Sequence, residues 1–80
     1  MRQGKKGGDY MNPNLLIALV YENGETGRDF ARVIKKSEKT GYSKMKGEKP
    51  LTLDELALIK VHYKLTDERF MSIFFAKYVA

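Results

Sequence analysis

The chain has 80 residues, 42% hydrophobic and 31% charged, with 15 Lys and Arg against 10 Asp and Glu, which leaves a net charge of +5. That length holds one domain with a modest core, and the lack of cysteine excludes disulfides and thiol chemistry and points to a soluble, cytoplasmic protein. No run approaches the ~18 apolar residues of a membrane span, and the longest, LLIALVY at 15–21, lacks the length and flanks of a signal peptide.

Residues 1–10, MRQGKKGGDY, hold three glycines and three cations and little to bury. They fit a disordered basic arm, but KKGGDY ahead of Met11 also matches the in-frame translation of a bacterial ribosome-binding sequence. The expectation is an upstream extension at 1–10, a native start at Met11 and a folded domain over 11–80.

Asn12 and Pro13 open a first helix, with Asn as cap and Pro at the first helical position. It is expected to run from Pro13 to about Tyr21 and stop at Asn23-Gly24. Leu15, Leu16, Ile17, Ala18, Leu19, Val20 and Tyr21 are apolar on every side, more than a surface helix needs, so part of this helix is expected to be central or covered by another chain.

Thr26, with Asp29 three residues later, caps a second helix. Phe30, Ala31, Val33 and Ile34 give it one apolar stripe, with Arg28, Arg32 and Lys35 pointing elsewhere. Ser37 is a further cap. After it Tyr42 and Met45 supply an apolar spacing of three, and Gly47 offers a left-handed end, so a third helix of two to three turns is expected. Lys39, Thr40, Ser43, Lys44 and Lys46, between those anchors, can all donate to phosphate or to base edges. Two short helices joined by a tight polar turn are the outline of a helix-turn-helix.

The charge concentrates there. From Arg32 to Lys49 seven cations meet two acids, net +5, whereas 11–31 together with 50–80 carry five cations and seven acids, net −2. Such a cluster draws polyanions and releases counterions on nucleic acid, although a Lys-rich solvated face is the commoner use of such a run.

Lys49-Pro50 interrupts the chain, and Thr52 with Glu55 forms a capping box for a fourth helix carrying Leu53, Leu56, Leu58 and Ile59 to about Tyr63. Thr66 caps a fifth, whose Asp67 and Glu68 complement the helix dipole. Its Phe70, Met71, Ile73, Phe74, Phe75, Tyr78 and Val79 surround the axis. The expectation is that a monomer leaves part of this surface open for a second copy or another protein, with Leu15, Leu19, Phe70, Phe74, Phe75 and Tyr78 at the interface.

Nothing points to catalysis. His62 is the single histidine, no Cys or His cluster offers metal ligands, and Asp54-Glu55 and Asp67-Glu68 sit at helix starts, where they act as dipole partners. The expectation is a non-enzyme without cofactor or metal.

From Thr26 through Ala31 to Ser37 and Gly47, then LTLDEL at 51–56, Leu65-Thr66 and ERFMSIFFA at 68–76, the chain resembles the XRE family of helix-turn-helix regulators, the Cro and phage-repressor type, over nearly all of 14–76. The resemblance implies an all-α, five-helix, lambda-repressor-like DNA-binding domain and a small phage-type transcriptional regulator that binds double-stranded operator DNA as a homodimer. By matched position it assigns Glu38, Lys39, Thr40, Ser43 and Lys44 to the groove, and Arg28, Lys36, Lys46 and Lys49 to phosphate.

Three positions depart from the family pattern. Gly27 replaces a phosphate-touching glutamine. Lys35 replaces the glycine of the turn, which at about 1 kcal/mol for a left-handed side chain predicts a reshaped turn. Gly41 replaces an aliphatic anchor, which predicts a packing gap filled by a small rotation that brings Tyr42 in. These departures and the surplus apolar surface support an alternative, an antirepressor or modulator of repression that uses the same fold to bind a phage repressor protein.

Overall fold

The computed structural model describes residues 11–75, and within them the protein is all-helical. The elements are α1 (Pro13–Glu22), α2 (Gly27–Val33), α3 (Glu38–Met45), α4 (Leu53–His62) and α5 (Asp67–Phe74). What was expected of 1–10, Tyr78 and Val79 lies outside the described residues. No described helix is long and apolar enough to cross a membrane.

Each helix begins where a short polar side chain can serve the free amides of the first turn. Asn12 Oδ1 accepts from the N–H groups of Asn14 and Leu15 at 3.1 and 3.2 Å, with Pro13 behind it. The Asp29 carboxylate accepts from the Thr26 N–H at 2.9 Å and from its hydroxyl at 3.2 Å. Ser37 accepts from the Thr40 N–H at 3.2 Å, Thr52 and Glu55 cap each other reciprocally, and Thr66 accepts from the Arg69 N–H at 3.1 Å.

α1 to α4 also end alike. In each, the N–H two residues past the cap returns to a carbonyl in the last turn: Glu25 to Val20, Lys36 to Ala31, Glu48 to Ser43, and Leu65 to Lys60, at 2.8–3.1 Å. This closure requires a left-handed residue between. Gly24 and Gly47 supply it at φ +73° and +82°, but Lys35 and Lys64 adopt it with side chains, at φ +61° and +54°. The turn between α2 and α3 is therefore not reshaped: Lys35 accepts the strain that glycine would avoid.

The core gathers Leu16, Leu19 and Val20 of α1, Phe30 and Ile34 of α2, Met45 of α3, Ile59 and Tyr63 of α4, Leu65, and Ile73 and Phe74 of α5. The Asn12 N–H donates to the Ile73 carbonyl at 2.8 Å, which ties the start of α1 to α5. α1 buries Leu16, Leu19 and Val20 and leaves Leu15, Ala18 and Tyr21 exposed, so one face of this apolar helix enters the core and the other does not.

The expected interface is largely spent on this core. Leu19 is 1% exposed and Phe74 4%, so neither is available to a partner, and Phe70 and Phe75 pack half-buried with Phe74 as an aromatic cluster, centroids 5.1 and 6.2 Å from Phe70. The reason is that α5 lies against α1, so one face of each disappears into the other. The most exposed large apolar side chains among the described residues are on α4, Leu53 at 83% and Val61 at 77%, while Leu15 and Tyr21 of α1 and Met71 of α5 are exposed to a lesser degree.

Candidate nucleic-acid interface

α3 is held from behind by contacts that depend on missing side-chain volume. A Cβ on Gly41 would stand 2.3 Å from Ala31 Cβ and 2.7 Å from Ala31 Cα, so the backbones of α2 and α3 touch at this point. There is no packing gap at Gly41 for another residue to fill, contrary to the sequence expectation. The Tyr42 ring goes to the next glycine along the seam, Gly27, whose absent Cβ would stand 2.2 Å from Tyr42 Cε1. Met45, one turn on from Gly41, enters the core.

Lys44 is the second correction. Expected to face the groove, it is 8% exposed, and its ammonium donates to both carboxylate oxygens of buried Glu55 at 2.7 and 2.8 Å. Lys44 follows Lys39 by five residues, roughly 140° round a helix, which puts it on the face turned toward α4. Burial pushes the Glu55 pKa up, but the hydrogen bond from Lys44, the Thr52 N–H and the charges of Lys44 and Lys36 outweigh it and leave the carboxyl below its ordinary value. Glu55 thus caps α4 and anchors α3 with one side chain. Sequence reasoning found only the cap, although the helical angle of Lys44 was available as a signal.

The outward face of α3 carries Lys39 and Lys46, both exposed, and Ser43, half-buried, at spacings of four and three residues that align them along one side. Thr40 sits at the edge, its hydroxyl accepting from Ser37 Oγ at 3.1 Å. Glu38 is engaged across the seam by Arg28 at 3.6 Å, which links the start of α3 to the start of α2.

The expected phosphate contacts form a loose rim. Lys36 reaches buried Glu55 at 3.8 Å, and Lys46 reaches Glu48 at 3.6 Å in an exposed pair that a polyanion can displace at little cost. Lys35, Lys39 and Lys49 are exposed and have no ion-pair partner among the described residues. By helical spacing Lys39 and Ser43 of α3 and Lys46 at its C-cap fall on one side, whereas Lys44 is withdrawn to Glu55 and Lys36 lies toward the same carboxylate.

Elsewhere, Glu25 accepts from the Tyr63 hydroxyl at 2.7 Å and lies 2.8 Å from His62 Nε2, joining the α1–α2 loop to the end of α4. No group of three or more His, Asp or Glu side chains stands together as metal ligands among the described residues. Comparison with protein-family models, with curated proteins and with solved structures finds no match for this chain.

Proposed function

We propose that the protein is a transcriptional regulator that binds double-stranded DNA through α3, acting as a homodimer. The observation that carries this reading is the alignment of Lys39, Ser43 and Lys46 on the open side of a helix whose other side is locked to α2 and α4. From Lys39 to Lys46 is seven residue steps, about 10 Å of helix axis, within the width of a major groove of about 12 Å. Lys39 and Lys46 are suited to guanine edges or phosphate and Ser43 to either, while Lys35, Lys36, Lys49 and Arg28 rim the face with charge that neutralises backbone.

The protein-contact alternative drew on Gly27, Lys35 and Gly41 and on surplus apolar surface, of which Leu15, Tyr21 and Met71 remain exposed on α1 and α5. Each of Gly27, Lys35 and Gly41 has a packing or turn role that leaves the α3 face open, so none of these three favours a repressor protein over DNA as the partner.

The test is selection from a random duplex pool, followed by fluorescence anisotropy of the selected and scrambled duplexes over a salt series. Affinity should fall steeply with salt, as it does when several phosphates are neutralised, and the selected duplex should bind at least about tenfold tighter than the scrambled one. Equal affinity for every duplex would remove the sequence-specific reading, and no binding at low salt would remove DNA altogether.

A further inference from the structure

Leu53, Ala57 and Val61 follow one another at intervals of four residues along the outer side of α4. Leu53 and Val61 are 83% and 77% exposed, the most open large apolar side chains among the described residues, and Ala57 between them is also exposed. Leu58 flanks the same side, half-buried. The rest of α4 is committed: Ile59 and Tyr63 are in the core, Leu56 packs against it, and Glu55 holds Lys44. Within one copy Ala57 and Leu58 border a cleft shared with Ile34, Lys35 and Lys36, and Leu53 and Val61 stand open to solvent.

We infer that this stripe is the surface on which two copies of the chain associate, α4 against α4 in antiparallel, about a two-fold axis at Ala57. The inference rests on the homodimer proposed above and names the surface that makes it. The pattern is self-complementary. A two-fold at Ala57 places the Leu53 of each copy against the Val61 of the other, and the small residue at the centre lets the two helices approach closely enough for both pairs to touch.

Charge selects the direction. α4 begins with exposed Asp54, and its other end carries Lys60, which also pairs with Asp67 of its own chain at 2.7 Å, and, just past the helix, exposed Lys64. A parallel pair would set like ends side by side, whereas an antiparallel pair brings the acidic end of each helix beside the basic end of the other and opposes the two helix dipoles. The stripe is apolar and short, so it suits neither phosphate nor a bilayer. An interface based on one ten-residue helix is small beside those of permanent dimers, so the association is concentration-dependent.

The chain has no cysteine, which allows a positional test on the full-length protein without DNA. Ala57→Cys should oxidise to a disulfide-linked dimer. Leu53→Cys alone should not, because its two copies lie about 12 Å apart along the axis, but an equimolar mixture of Leu53→Cys and Val61→Cys should link into heterodimers. By sedimentation, Val61→Glu should weaken self-association at least tenfold, with unchanged helicity by circular dichroism. The inference is overturned if Ala57→Cys links no faster than a Glu48→Cys control, if Leu53→Cys links to itself as readily as Ala57→Cys, or if Val61→Glu leaves self-association unaltered. A wild-type chain that stays monomeric throughout, or pairs only with a different protein, overturns it too. Because no DNA is present, these results leave the duplex-binding reading to its own assay.

Discussion

The ring of Tyr42 lies over Gly27 so closely that a Cβ at position 27 would be 2.2 Å from Cε1 and 2.4 Å from Cζ. The same helix places Gly41 against the backbone of Ala31. The two contacts differ in what can yield. At Gly27 the obstacle is a side-chain ring on a rotatable stem, whereas at Gly41 it is main chain. Gly41→Ala should lower stability by about 2 kcal/mol, the overpacking penalty exceeding the gain in helix propensity. Gly27→Ala should lower it by about half as much by expelling the ring, and in a Tyr42→Ala background it should be close to neutral. Urea denaturation of the wild type, the three single variants and the double variant measures this.

Glu55 and Lys44 give a second contrast. Glu55→Ala removes a cap and leaves Lys44 buried without its counter-charge, a loss of about 3–5 kcal/mol. Lys44→Met together with Glu55→Gln removes both charges and keeps a capping amide, so the double variant should unfold at higher urea than Glu55→Ala. The reverse order would mean that the pair itself, rather than the stranded charge, dominates.

Acid should weaken the fold in a defined direction. The Glu55 pKa lies below its ordinary 4.5, held there against burial by Lys44, Thr52 and Lys36. Asp29 is lowered first by the Thr26 N–H, and Asp67 by its hydrogen bond with Lys60. Below 4.5 the unfolded chain therefore binds more protons than the folded one, so stability is complete above that value and declines as pH falls through the folded-state pKa values. Thermal melts between pH 7 and pH 3 should show this decline, and Glu55→Gln should flatten it.

For DNA, removal of each outward lysine separates from removal of the buried one. Lys39→Ala and Lys46→Ala should each weaken duplex binding and reduce the slope of log affinity against log salt by about 1 where the lysine meets phosphate. Lys44→Met/Glu55→Gln, if folded, should keep that slope, because Lys44 Nζ is already spent on Glu55. A slope lost with Lys44 and retained without Lys39 would invert the assignment.

The left-handed lysines offer a stability gain. Lys35→Gly and Lys64→Gly should each stabilise by about 1 kcal/mol, since both residues sit where a side chain is strained. They differ in function: Lys35 borders α3 and its loss should weaken duplex binding, whereas Lys64 ends α4 and its loss should not.

Helix starts were legible in the amino-acid order because a cap is a local event. Asn12, Thr26, Ser37, Thr52 and Thr66 each bond within three residues of themselves, and α1 to α5 begin directly after them. The ends marked by Gly24 and Gly47 were legible for the same reason. Lys35 and Lys64 carry no glycine signal, and only the returns of Lys36 to Ala31 and Leu65 to Lys60 reveal their conformation.

Which side of each helix turns inward was a different matter, because it depends on partners far along the chain. Lys44 reads as one more cation beside Lys39 and Lys46 until α4 brings Glu55, eleven residues away, to within 2.7 Å. Gly41 reads as a defect until α2 presents Ala31 to it. Leu53 reads as core, and Leu19 and Phe74 as surplus, until the packed helices leave the first exposed and bury the other two. Local hydrogen bonds determined the five rods; the approach of distant rods, governed by the volumes that meet between them, decided which side chains remained outside.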